Sequence, residues 1–101
     1  MPPFINNSHV IEELSVVIGN TIDMYCPATG VPEPSVRWLR EGMNFTFMSH
    51  PNLRSQEGGA SLQVLNAQLL DIGSYTCFAS NIAGNATKEF VLNVLGKYSL
   101  L

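Results

Sequence analysis

Short apolar runs broken by turn-forming residues set the rhythm of this chain. The runs occupy residues 14–18, 21–28, 36–40, 61–65, 74–80 and 87–95. Between them lie Gly19-Asn20, Gly30-Val31-Pro32-Glu33-Pro34, Glu41-Gly42, Gly58-Gly59, Asp71-Ile72-Gly73 and Ala83-Gly84-Asn85. Breaks spaced by roughly 10 residues or more are the mark of an all-β sandwich, whose short strands must each be followed by a reversal. Several runs also alternate with the period of two that a pleated strand imposes. Ile22, Met24 and Cys26 share one face, with Asp23 and Tyr25 on the other; Tyr75, Cys77 and Ala79 oppose Ser74, Thr76 and Ser80. Residues 68–72 are the one stretch with the pattern of a helical turn, and the chain has no internal repeat and no low-complexity segment.

A length of 101 residues suits one domain with a real core. At that size a cross-link still adds noticeably to stability. Cys26 and Cys77 lie 51 positions apart. A metal site would cluster Cys and His at short spacing, so this distant pair in a strand-rich chain reads as one long-range disulfide. Closing a loop of that size stabilises by about 4 kcal/mol in the chain-entropy description, provided the compartment is oxidising. Both cysteines fall on the inward set of their strands, where a bridge pins two facing sheets. Trp38 follows Cys26 by 12 residues, on the strand after the next turn, where its ring can pack on the sulfurs. With Tyr75 two residues before Cys77, this is the spacing described for immunoglobulin domains. There the tyrosine ring fills the core and its hydroxyl bonds upstream backbone, fixing the corner where the chain changes sheets.

The stretch Leu62-Gln63-Val64-Leu65-Asn66-Ala67-Gln68-Leu69-Leu70-Asp71-Ile72-Gly73-Ser74-Tyr75-Thr76-Cys77 resembles the E–F signature of intermediate-set (I-set) immunoglobulin domains, L-x-V-x-N-A…D-x-G-x-Y-x-C. Gly30-Val31-Pro32-Glu33-Pro34 is similar to that set's turn between strands B and C, and Asn81-Ile82-Ala83-Gly84-Asn85-Ala86 to its F–G hairpin. The resemblance covers residues 3–95, and within it the wording of the chain is most similar to the repeated domains of the hemicentins, very large basement-membrane proteins. It implies an immunoglobulin-like β-sandwich of two antiparallel sheets with Greek-key topology. Strands are then expected at 3–5, 13–18, 20–28, 35–40, 44–48, 53–56, 60–65, 73–81 and 85–95. Residues 1–96 form the domain and 97–101 a linker tail, Met1 being read as the start of a domain taken from a longer protein. The family also implies a structural role for Asp71, paired with Arg54 in an ion pair across the bottom of the sandwich.

Composition narrows the function. Net charge is −3, and the five basic residues, Arg37, Arg40, Arg54, Lys88 and Lys97, are scattered. No basic patch is there to follow a phosphate backbone, so nucleic acid is not the expected partner. No segment approaches the roughly 20 apolar residues of a membrane span, and the start lacks the basic and apolar regions of a signal peptide. Asp23, Glu33, Asp71 and Glu89 lie on separate strands and loops, with no pair of carboxylates at a cleft. His9 and His50 belong to no nucleophile motif and read as exposed loop residues, and Gly58-Gly59 lacks the Lys-Ser/Thr of a phosphate loop. Neither catalysis, a cofactor, a metal nor a small-molecule substrate is expected.

Asn6 (Asn6-Asn7-Ser8), Asn44 (Asn44-Phe45-Thr46) and Asn85 (Asn85-Ala86-Thr87) each open an N-x-[ST] glycosylation acceptor. Chance gives roughly one such triplet at this composition, a mild excess, but all three fall at strand ends or turns where a glycan can project into water. Alternation leaves Leu39, Phe78 and Val91 on the outer face of the sheet formed by strands C, F and G, as a candidate contact surface unless Phe45, Phe47 or Met48 folds over it. The expected role is that of a non-catalytic extracellular module in a matrix or basement-membrane protein, contacting neighbouring domains and other proteins. A ligand-recognition domain of a cell-surface receptor is the alternative, and a cytosolic muscle-type domain the third reading.

Overall fold

The alternation read from the sequence becomes strands whose apolar faces meet between two layers. A computed structural model of the chain describes residues 1–43 and 50–96. In chain order the strands are β1 (Phe4–Ile5), β2 (Glu12–Val17), β3 (Ile22–Tyr25), β4 (Ala28–Thr29), β5 (Ser35–Arg40), β6 (Leu53–Gln56), β7 (Ser61–Val64), β8 (Gly73–Asn81) and β9 (Gly84–Leu95). One layer has the order β2-β9-β8-β5 and the other β3-β7-β6, with β1 and β4 paired as a short extension. The all-β immunoglobulin-like sandwich is therefore as expected, and the strands expected at 35–40, 53–56 and 73–81 fall on β5, β6 and β8. The strand expected at 44–48 and the tail at 97–101 lie outside the described residues.

Two details differ from expectation. The strand expected over 20–28 is split into β3 and β4 at Cys26-Pro27, where proline offers no N–H to a ladder. The Cys26 amide still reaches across to Ala60 O at 2.7 Å, so the two halves remain one course of chain. The layers are also not antiparallel throughout: β2 runs parallel to β9, from Glu12 opposite Phe90 to Val17 opposite Leu95. The cause is the crossover after β1. The chain pairs first with β4 in one layer, then passes to the edge of the other without reversing direction.

Met24, Leu53, Leu62 and Val64 from one layer meet Tyr75, Ala79, Phe90 and Leu92 from the other, all of them buried. Cys26 and Cys77 are bonded across this core, with their Cα atoms 6.4 Å apart and both side chains sealed from water. Trp38 lies directly opposite Cys77 on β5 and packs at 5.5 Å, tilted by 40°, on the ring of Phe90. A buried indole N–H needs an acceptor. Here Trp38 Nε1 donates to Gly59 O at 2.7 Å.

That bond holds the Gly58-Gly59 turn against β5 and makes the two glycines unequal. Both have positive φ, 67° and 97°, but a Cβ on Gly58 would meet nothing within 4 Å, whereas one on Gly59 would run into the Val36 carbonyl. Gly58→Ala should cost on the order of 1 kcal/mol, the penalty of a left-handed alanine. Gly59→Ala adds an overpacked backbone contact and should cost about 3 kcal/mol or more. Denaturant midpoints of the two variants check this; equal losses would contradict it.

Candidate functional site

The corner where the chain leaves β7 for β8 is heavily braced. A 3₁₀ turn at Leu69–Asp71 reverses the chain, and the Tyr75 hydroxyl reaches back to donate to Asp71 O at 2.7 Å. Burial pushes the Tyr75 phenol up to about 12. The Asp71 carboxylate closes the turn by accepting from the Gln68 amide at 2.8 Å and from Asn52 Nδ2 at 2.9 Å. Its expected partner, Arg54, is elsewhere. Leu53 points into the core, so the next residue on β6 points out, and Arg54 lies opposite Gln63 with its guanidinium donating to the carbonyls of Pro51 and Leu53. The Arg54–Asp71 ion pair does not form, and Asn52 takes the place assigned to the arginine.

A different arginine braces the corner. Arg40 ends β5 on the same face as Trp38, so its side chain turns inward at the edge of the core. Its Nη2 donates to Leu70 O at 3.0 Å and Ile72 O at 2.8 Å, and its guanidinium carbon sits 4.6 Å from the centre of the Tyr75 ring. Nη1 meets Glu41 Oε1 at 2.6 Å. The same Glu41 oxygen accepts from the Ser74 amide at 2.9 Å, and that bond, with Arg40 beside it, holds the Glu41 carboxyl below the usual carboxylate range. A cavity of about 490 Å³ opens here, lined by His50, Asn66, Gln68 and Leu70 among others. The charged groups on its wall, Arg40 and Asp71, are committed to the corner's own hydrogen bonds. The site is a structural joint.

The candidate contact face lies on the outside of β5, β8 and β9. Register places Arg37 opposite Phe78, Leu39 opposite Thr76 and Ser74 opposite Val91, so Leu39, Phe78 and Val91 do share that face. All three are half-buried. Arg37 covers part of Phe78, its guanidinium carbon lying 4.8 Å from the ring centre. Phe45, Phe47 and Met48, the expected cover, lie outside the described residues, as does Asn44. Asn6 is exposed in the turn after β1, and Asn85 is exposed on β9 opposite Ser80.

Two groups of residues had no place in the sequence reading. Lys88 is buried, although charged, because its ammonium donates to Asn7 O at 3.2 Å and Val10 O at 3.4 Å and pairs with Glu12 Oε1 at 3.5 Å. It fastens the crossover between β1 and β2 to β9. The signal was available, since Lys88 shares the inward parity of Phe90. The other group is apolar and at the poles: Ile82 is 94% exposed and Val31 63% at one, Leu70 89% and Met43 71% at the other. Turn residues have no alternation to reveal such exposure.

Comparison with known proteins fits this geometry. A profile of the immunoglobulin I-set domain matches residues 6–94. The chain belongs to the immunoglobulin I-set family. It is 40% identical over 93 residues to Hemicentin-1 of Mus musculus and 42% identical over 94 residues to Hemicentin-1 of Homo sapiens, covering 92% and 93% of this chain. It spans about 2% of the length of either relative. Roundabout homolog 2 of Homo sapiens is 38% identical over 94 residues, 92% of this chain and 6% of that protein. Among solved structures, the crystal structure of the Titin M10–Obscurin like 1 Ig complex superposes with a TM-score of 0.81 at 28% identity, over 97% of this chain and 98% of that one.

Two outcomes test the corner. Arg40→Ala strips the Leu70 and Ile72 carbonyls of a charged donor and should cost about 2 kcal/mol, whereas Arg54→Ala, on the outer face, should stay within about 0.5 kcal/mol in the same denaturation series. The Tyr75 phenol has its pKa raised from 10.0 to about 12, so its contribution is complete below pH 10 and is lost as pH rises from 10 towards 12. Over that window the stability difference between the native chain and Tyr75→Phe should shrink by on the order of 2 kcal/mol, a change of two pKa units. A pH-independent difference would contradict this.

Proposed function

We propose that this chain is a non-catalytic extracellular module of a multidomain matrix or basement-membrane protein, setting the spacing of its neighbours and offering protein-contact surfaces for adhesion. The observation that carries this reading is the placement of its ends. Met1 pairs with Val31 through its backbone at one pole, and Leu95 accepts from the Ile18 amide at the other. The fold is elongated, 48 Å along its longest axis, and on this reading residues 1–96 act as one link and 97–101 as the start of a linker. The exposed apolar tips at both poles are suited to contact with adjoining domains. The buried Cys26–Cys77 bridge supports an oxidising, secreted setting. The identity to hemicentins supports the matrix over other extracellular settings. Partners on this reading are proteins, with no role for nucleic acid, membrane contact, cofactor or small-molecule substrate.

The likeness to Roundabout homolog 2 favours a second reading, a ligand-recognition domain of a cell-surface receptor. The titin neighbour shares the strand plan, but a cytosolic muscle-type domain has no use for the bridge. The test uses the parent protein from its native source. Alkylation mass spectrometry without reductant should leave Cys26 and Cys77 unlabelled, and the protein should partition with insoluble extracellular matrix. Free thiols would overturn the extracellular reading; recovery with the plasma membrane through a spanning segment of the parent would transfer it to the receptor class.

A further inference from the structure

We infer that Asn85 carries an N-linked glycan, and that the glycan lies along the outer face of β8 and β9 over Phe78 and Arg37. This deepens the extracellular reading and rests on it. On β9, Ala86 packs against the core and Lys88 and Phe90 are buried, so Asn85 and Thr87, both exposed, point the other way. The acceptor asparagine and the threonine of its triplet thus stand side by side on one open face. Register fixes what lies next to them. Thr87 is directly opposite Phe78, and Asn85 opposite Ser80. Directly opposed residues share a face, and two residues along a strand span about 7 Å, so the first sugar attached to Asn85 starts about that far from the position facing Phe78.

The neighbouring surface is suited to receive it. Phe78 is half-buried, and Arg37, opposite it on β5, adds guanidinium donors beside its ring. The aliphatic C–H face of a sugar packs on an aromatic ring, and its hydroxyls and N-acetyl carbonyl accept from arginine. Asn6 is an exposed acceptor too, but it stands in the turn between β1 and β2, outside either ladder, where a glycan has no fixed relation to Phe78. The modification itself is a transfer from a lipid-diphosphate-linked oligosaccharide. The bond from the sugar C1 to the phosphate oxygen breaks, a C1–Nδ2 bond forms, Nδ2 loses one proton and the lipid diphosphate departs. The consequence is a divided face. The Phe78 end is covered, and the surface left for protein contact is the opposite end, from Leu39, about 7 Å down the strands, to Val91, about 13 Å down.

The 101-residue chain, secreted from animal cells behind a cleavable leader, tests this. Peptide N-glycosidase digestion in heavy-oxygen water should convert Asn85 to labelled aspartate. Hydroxyl-radical footprinting should show Phe78 oxidised severalfold less in the glycosylated chain than in Asn85→Gln or, should that variant fail to be secreted, in Thr87→Val. Secreted, disulfide-bonded chain with unmodified Asn85 would overturn the inference while leaving the extracellular reading intact. Modified Asn85 with equal Phe78 oxidation would overturn the covering of the face. Free thiols in the native-source experiment would instead overturn the reading on which the inference depends.

Discussion

The Cys26–Cys77 bridge holds the two layers at a fixed separation, its Cα atoms 6.4 Å apart and its sulfurs sealed from solvent. A domain of about this size buries too small a fraction of its surface for packing alone to leave a wide margin of stability. The covalent link removes much of the loop entropy that separating the layers would release. It also dictates the residues around it. Beside two sulfurs there is room for one large flat side chain, which Trp38 supplies, and Phe90 fills the adjoining space. The indole N–H, brought into the core by that packing, must find a carbonyl, and the backbone that supplies it turns at Gly59. One bond between sheets thereby sets a tryptophan, a phenylalanine and a glycine.

Away from this centre the structure is closed by cations that serve backbone carbonyls more than carboxylates. Turns leave C=O groups without ladder partners, and when these are partly buried each needs a donor. The planar fork of Arg40 takes the carbonyls of Leu70 and Ile72 together, which a lysine could not do with the same geometry. At the β1–β2 crossover the reverse holds. Asn7 O and Val10 O converge on one point, and the compact ammonium of Lys88 fits between them. Each cation also lies over an aromatic ring, Arg40 over Tyr75 and Lys88 over Phe90, so its stem is packed while its head is bonded.

Legibility followed the physics of alternation. Parity along β5, β8 and β9 was enough to place Trp38, Tyr75 and Cys77 inside and Leu39, Phe78 and Val91 outside, because a strand offers only two directions. The same parity argued against Arg54: with Leu53 inward it had to point out, and the family expectation of an Arg54–Asp71 pair ran against it. Arg40 and Lys88 share the parity of Trp38 and Phe90, yet a charged residue at an inward position is easily passed over until the carbonyls it serves are in view. Direction was a different matter. Nothing in the alternation of β2 distinguishes a parallel neighbour from an antiparallel one, since both present the same face to the core. Nor does the sequence reveal that Ile82, Val31, Leu70 and Met43 stand open at the poles, where turn chemistry governs side-chain direction.

The distribution of exposed surface bears on how such a domain can work. Ile82 and Val31 at one pole and Leu70 and Met43 at the other are left open, and on the strands Phe4, Val17 and Tyr25 are exposed among polar neighbours. The poles differ from each other, so a contact between one domain's leading pole and the next domain's trailing pole is head-to-tail. Contacts of that kind repeat along a line and do not close into a dimer. Unlike apolar ends therefore suit the serial arrangement proposed above, in which a lateral partner would be met on the sheet faces. There the surface is too mixed in polarity to be sticky on its own, which leaves recognition to shape and hydrogen bonding across an area, not to any single reactive group.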